Sequence, residues 1–253
     1  MVQNLAYGEG ARRTLDLYVP TNGERDMPLI VFFYGGNWDS GTKEFYRFVG
    51  QAFASRGYAT AIPNYRLYPE VRFPAFVEDG AAAVAWLQAH GAEYGVGGAG
   101  MVLAGHSAGA HIAAMLALDG RWLKRAAVDR CATIVAAVGL AGPYDFLPLT
   151  SPTLREVFGP GPAGPDTQPI THVDGIAPPM LLVAGSADKT VMPGNTVRLA
   201  ARIREKGGIV EERLYEDVSH VGMVAALAPV LRRFSPLLEQ VDGFLKQHRT
   251  GGC

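Results

Sequence analysis

Short, continuous apolar runs alternate along this chain with longer segments of helical periodicity. Leu29-Ile30-Val31-Phe32-Phe33-Tyr34, Tyr58-Ala59-Thr60-Ala61-Ile62, Met101-Val102-Leu103-Ala104, Thr133 to Leu140 and Met180 to Ala184 are predominantly apolar at consecutive positions, the pattern of strands buried on both faces. Between them, helices are predicted from about Thr42 to Arg56, within Phe73 to Tyr94, from His111 to Leu118, from Pro193 to Lys206 and from Ser235 to His248. Such alternation predicts an α/β class with a mostly parallel central sheet and helices on both faces. Ile209 to Tyr215 alternates as a further strand. Arg13-Thr14-Leu15-Asp16-Leu17-Tyr18-Val19 alternates with period two and predicts an antiparallel edge strand ahead of the parallel core.

At 253 residues and 48% hydrophobic content, the chain can bury its core as one domain spanning residues 1–253. Pro143 to Pro179 holds nine of the 17 prolines, including the stretch Gly159-Pro160-Gly161-Pro162, and cannot be one long helix. It reads either as a surface connection or as a minimal cap over the mouth of a site. A formal net charge of −1 and a pI near 6.6 give no electrostatic reason to expect nucleic acid or an anionic membrane as partner. Arg232-Arg233 reads as a solvated helix face. No run approaches the roughly 18 apolar residues of a membrane span, and Met1 to Tyr7 lacks the basic and apolar regions of a signal peptide. Cys131 and Cys253 are too few for a disulfide framework, and Cys253 follows a Gly-rich segment expected to be mobile, so a reducing, cytoplasmic location is expected. Leu237, Leu238, Val241, Phe244 and Leu245 on the last helix suit either the core or a homodimer partner.

The candidate chemistry centres on Gly105-His106-Ser107-Ala108-Gly109, a G-x-S-x-G pentapeptide between a strand and a helix. At such a turn the serine is lifted above the sheet, and the following helix aims free N–H groups at it. Ser107 would otherwise be a plain N-cap. A serine hydroxyl needs a base within hydrogen-bond reach and a group that orients the base. Asp188 ends the buried strand that begins near Leu181, and His220 follows the next strand, so both can reach the same sheet edge. Asp145 and Asp217 are reserve acids. His172 and His248 compete with His220 less well, lying in the proline-rich connection and on the last helix, while His106 and His111 flank Ser107 too closely to act as its base. Leu29 to Tyr34 runs into Gly35-Gly36-Asn37-Trp38, which places the N–H groups of Gly36 and Asn37, with that of Ala108, where an oxyanion would develop. Nothing has metal-ligand spacing, and no cofactor is required.

With these residues assembled, the chain resembles the α/β-hydrolase superfamily, and more narrowly the esterase and arylformamidase group that carries His-Gly-Gly-x-Trp before the serine, including feruloyl and acetyl-xylan esterase-like proteins. The likeness runs from Leu15-Asp16-Leu17-Tyr18-Val19-Pro20 to His220 and includes Asn64-Tyr65-Arg66-Leu67-Tyr68-Pro69, Phe73-Pro74-Ala75 and Gly142-Pro143-Tyr144-Asp145. One departure is Tyr34, which stands where the group usually has histidine. That histidine is thought to brace the oxyanion loop, a task open to a tyrosine hydroxyl.

The leading expectation is a serine carboxylesterase with Ser107 as nucleophile, His220 as base and Asp188 as its orienting acid, acting on small, short-acyl esters because the connection between Leu140 and Met180 leaves little material for a large lid. Trp38, Tyr65 and Tyr144 are the expected substrate-binding aromatics, with Tyr68 nearby. The alternatives are an arylformamidase using the same groups on an N-formyl amide, and a non-catalytic ligand-binding protein on the same fold.

Overall fold

The computed structural model describes residues 1–21, 27–159, 164–250 and 252–253. Among these, eight strands form one sheet: β1 (Val2–Ala6), β2 (Thr14–Tyr18), β3 (Leu29–Phe33), β4 (Thr60–Pro63), β5 (Met101–His106), β6 (Ile134–Leu140), β7 (Met180–Gly185) and β8 (Val210–Tyr215). Their order is β1-β2-β4-β3-β5-β6-β7-β8, parallel from β4 to β8 and antiparallel where β2 meets β1 and β4. Strands β3, β5, β6 and β7 are buried at every position, as their continuous apolar runs require.

The helices are α1 (Arg47–Ala54), α2 (Ala75–His90), α3 (Ala108–Leu118), α4 (Gly120–Arg125), α5 (Arg130–Thr133), α6 (Pro152–Phe158), α7 (Gly194–Glu205), α8 (His220–Ala225) and α9 (Leu237–Gln247). The path reverses at β3. The connection through α1 steps outward to β4, and the connection through α2 returns past β3 to β5. Right-handed crossovers therefore set α1 on one face and α2, α3 and α7 on the other. The crevice at such a reversal, beyond the carboxyl ends of β3 and β5, is where open α/β sheets place ligands.

The structure corrects two expectations about the elements. The alternating segment that forms β2 is not the edge, because β1 pairs outside it (Leu5 opposite Leu15, Ala6 opposite Thr14). β1 is almost wholly exposed and owes its conformation to the ladder, not to an apolar pattern. The predicted helix from Thr42 begins as a 3₁₀ turn over Lys43–Tyr46, and α-helix starts only at Arg47. The buried Lys43 bonds Asp16 at 2.7 Å and Asn4 at 2.8 Å, which ties that turn to the β1–β2 hairpin.

Cys131 and Cys253 are joined in a disulfide, their Cα atoms 4.9 Å apart. The fold carries the chain beyond α9 back beside α5, which explains why the two cysteines are paired and the segment is not free. Disulfides persist in oxidising surroundings, so the argument for a reducing compartment loses its basis. Cys131 precedes β6, at the sheet edge opposite the carboxyl ends. Reduction, or Cys131→Ser, is expected to lower stability by about 2–4 kcal/mol through release of a long loop, with turnover per folded molecule unchanged. Thermal denaturation with and without dithiothreitol, paired with an activity assay, checks this; a fall in activity at full folding would contradict it.

Candidate active site

Ser107 stands between β5 and α3 with φ 55° and ψ −124°, a conformation a residue with a Cβ adopts only under constraint. The constraint is close packing: a Cβ on Gly109 would overlap the Phe33 carbonyl, and one on Gly105 the Gly109 carbonyl. The first turn of α3 is thereby pressed against the end of β3. Ser107 N–H donates to the Leu140 carbonyl at 2.9 Å, fixing the turn to β6 as well. The side chain makes no capping bond to α3. Its Oγ lies 2.8 Å from His220 Nε2.

Asp188 sits in the turn after β7 and His220 opens α8 after β8, so the parallel register of β5 to β8 brings all three residues to one edge. His220 Nδ1–H donates to Asp188 Oδ2 at 2.7 Å. The other carboxylate oxygen accepts the N–H groups of Thr190 and Val191, each at 2.9 Å, which fixes the plane of the buried carboxylate. His106 Nε2–H donates to the His220 carbonyl at 3.1 Å, and the two rings are 4.8 Å apart. The reserve acids lie elsewhere: Asp145 pairs with Arg198, and the Asp217 N–H donates to Ser186 Oγ. His172 bonds the Asp166 carbonyl and His248 packs on Phe244, both away from Ser107.

The segment after β3 carries Gly36, Asn37 and Trp38 at φ 133°, 53° and 58°, three successive residues in left-handed or glycine-favouring regions. The carbonyl of Gly36 is turned back to accept from Asp39 and Ser40 N–H. The N–H groups of Gly36, Asn37 and Ala108 donate to no other protein group among the described residues. Gly36, Asn37, Trp38, Ser107 and His220 all line a cavity of about 690 Å³.

Pro143, Phe146, Leu147, Thr150 and Leu154 also line this cavity, as do Val191, Met192, Asn195 and Arg198 from the segment after β7 and the start of α7. The proline-rich connection thus contributes to the cavity lining, α6 included through Leu154. Of Gly159-Pro160-Gly161-Pro162, only Gly159 lies within the described residues. Of the three aromatics, Trp38 lines the cavity, stacked at 6.1 Å on Phe146. Tyr65 and Tyr144 do not. Tyr65 is fully buried behind the loop, its hydroxyl donating to the Tyr34 carbonyl at 2.8 Å. Tyr144 is fully buried where a Cβ on Gly139 or Gly142 would meet its ring or hydroxyl. Their aromatic character serves packing, which sequence position alone does not separate from ligand contact. Tyr68 packs against Arg72, whose guanidinium lies 5.6 Å from its ring.

Behind Trp38, His111 is enclosed by Phe76, Phe146 and Phe158, with its Nε2–H donating to the Thr167 carbonyl at 2.9 Å. Burial pushes both His106 and His111 down to about 4. Each is therefore neutral in the fold and takes up its proton near the ordinary value of about 6.5 once unfolded. Falling pH favours the unfolded chain: stability present above pH 6.5 is lost progressively toward pH 4, by up to about 3 kcal/mol per histidine. His111→Phe is expected to flatten the decline of Tm across that window. Denaturation scans at pH 4, 5, 6 and 7 on the order of these values check it, and an unaltered slope would refute it.

An eight-stranded, mostly parallel sheet with a serine on the turn after its fifth strand, an aspartate after the seventh and a histidine after the eighth has the layout of an α/β-hydrolase. The chain belongs to the BD-FAE family, whose family model matches residues 15–203. It is 26% identical over 242 residues to a probable isoprenylcysteine alpha-carbonyl methylesterase of Arabidopsis thaliana, covering 87% of this chain and 51% of that protein. It is 31% identical over 153 residues to a kynurenine formamidase of Salmo salar, covering 60% of this chain and 49% of that one. The chain spans about half the length of these curated relatives. Among solved structures, esterase 2 of Thermogutta terrifontis phosphoramylated by tabun superposes with a TM-score of 0.78 at 25% identity, covering 97% of this chain and 94% of that one. Its butyrate-bound form superposes at 0.75 with the same identity, covering 94% and 90%.

Proposed function

We propose that the protein is a serine carboxylesterase acting on small, short-acyl esters. The observation that carries this reading is the continuous relay from Ser107 Oγ through His220 to Asp188, beside three N–H groups with no protein acceptor among the described residues. Oγ attacks the ester carbonyl carbon as its proton passes to His220 Nε2, and the carbonyl electron pair moves onto oxygen. The resulting oxyanion accepts from Gly36, Asn37 and Ala108 N–H. Collapse expels the alcohol, which takes the proton back from Nε2. A water deprotonated by the same nitrogen then releases the acid from Ser107. The apolar wall of Phe146, Leu147 and Leu154 suits a short acyl or alcohol arm, and the butyrate-bound neighbour supports a short acid at such a site.

A second reading, cleavage of an aryl formamide, is favoured by the Trp38–Phe146 aromatic wall and by the formamidase relative. One experiment separates them: kcat/KM for p-nitrophenyl esters from acetate to decanoate, and for N-formylkynurenine. A preference for the shortest esters is expected. A preference of about a thousandfold for the formamide, some 4 kcal/mol in transition-state binding, would overturn the ester reading.

A further inference from the structure

We infer that Arg12 is a positioning residue for the oxyanion loop, acting through Tyr34 and Gly41; the inference rests on the esterase reading above. Arg12 lies on the turn between β1 and β2, far in sequence from every group in the relay. Its Nη2 donates at 2.8 Å both to the Tyr34 hydroxyl and to the Gly41 carbonyl, and its Nε donates at 2.8 Å to the Tyr65 carbonyl. Tyr34 and Gly41 bracket residues 35–40, so one planar guanidinium holds both ends of the loop that presents Gly36 and Asn37. That loop carries three successive residues at positive φ, a conformation that persists only when its surroundings over-determine it.

The direction of each bond is fixed. Arginine only donates, so the Tyr34 hydroxyl accepts from it and donates to Asn64 Oδ1 at 2.8 Å. Burial holds the Tyr34 hydroxyl up at about 12, protonated throughout the working range. Asn64 Oδ1 also accepts from the Lys43 N–H at 2.8 Å, just beyond the loop. Arg12, Tyr34 and Asn64 therefore form a brace at the base of the loop. The adjacent Arg13 supplies the contrast: it pairs with Asp79 at 3.2 Å and lies over the Tyr7 ring, with no bond to the loop.

A loosened loop misplaces donors that matter most when charge has developed on oxygen, so the loss falls on the transition state more than on substrate binding. The test uses Arg12→Ala, Arg12→Lys and Arg13→Ala with p-nitrophenyl butyrate, together with a short-chain trifluoromethyl ketone, whose adduct with Ser107 carries an oxyanion. Arg12→Ala is expected to lower kcat by roughly 10- to 100-fold, less than outright loss of a donor, with KM nearly unchanged and ketone affinity falling by the same factor as kcat/KM. Arg12→Lys should fall in the same direction, since an ammonium cannot reproduce the planar fork, and it carries the test if the alanine variant does not fold. Arg13→Ala should lower Tm and leave kcat and ketone affinity at wild-type values. A wild-type kcat and ketone affinity in a folded Arg12 variant would overturn the inference, as would an equal loss of ketone affinity in Arg13→Ala. A wild-type protein without ester turnover would instead overturn the esterase reading itself.

Discussion

Ser107→Ala is expected to reduce ester turnover by about 10⁴- to 10⁶-fold, to the residual rate that bound substrate and an oxyanion site sustain without a nucleophile. The geometry makes the prediction specific. Ser107 Oγ bonds to His220 and makes no capping bond to α3, so its removal leaves the helix cap, the β5–β6 link and the fold intact. Tm should therefore stay within about 1 kcal/mol equivalent of the wild type, as for substitutions that leave no buried group unpaired. Labelling by a fluorophosphonate should be lost together with turnover. Retained turnover in a folded variant would remove Ser107 from the mechanism.

Asp188→Asn should cost about 10⁴-fold in kcat for a different reason, the imidazole tautomer. One carboxylate oxygen accepts two backbone N–H groups, from Thr190 and Val191, and the other accepts from His220 Nδ1. An asparagine must turn its only acceptor toward one side. Two backbone donors outweigh one, so the amide NH₂ faces His220 and donates to Nδ1. The proton then resides on Nε2, where it cannot accept from Ser107. Steady-state kinetics measure the loss, and the ¹⁵N shifts of His220 report the tautomer; an Nδ1–H signal in a poorly active variant would refute the explanation.

Much of this arrangement is legible in the residues themselves, and the reasons differ by element. Strands β3, β5, β6 and β7 announce themselves because burial on both faces demands apolar residues at every position. Ser107, Asp188 and His220 are legible because each directly follows such a strand or its successor, and parallel strands bring their carboxyl ends together. β1 is not, since Val2-Gln3-Asn4-Leu5-Ala6 is exposed and is held by its neighbour's ladder. Tyr65 and Tyr144 mislead because a buried tyrosine that braces backbone has the same local sequence as one that meets a ligand. Asn64 stands inside a recognised motif, yet its carbonyl's task is visible only beside Tyr34 and Lys43. Arg12 carries no local sign at all, because its three acceptors are supplied by segments tens of residues away.

The cavity divides its labour unevenly. The side that carries Ser107 and His220 is locked into strand ends, glycine-tight turns and a buried carboxylate, so the esterase reading expects nearly any substitution there to lower turnover. Another part of the cavity lining, Phe146, Leu147, Thr150 and Leu154, belongs to the connection between β6 and β7. New substrate ranges can therefore arise by exchanging or lengthening that one segment while the reaction is left alone. For a protein engineer it is the natural place to randomise.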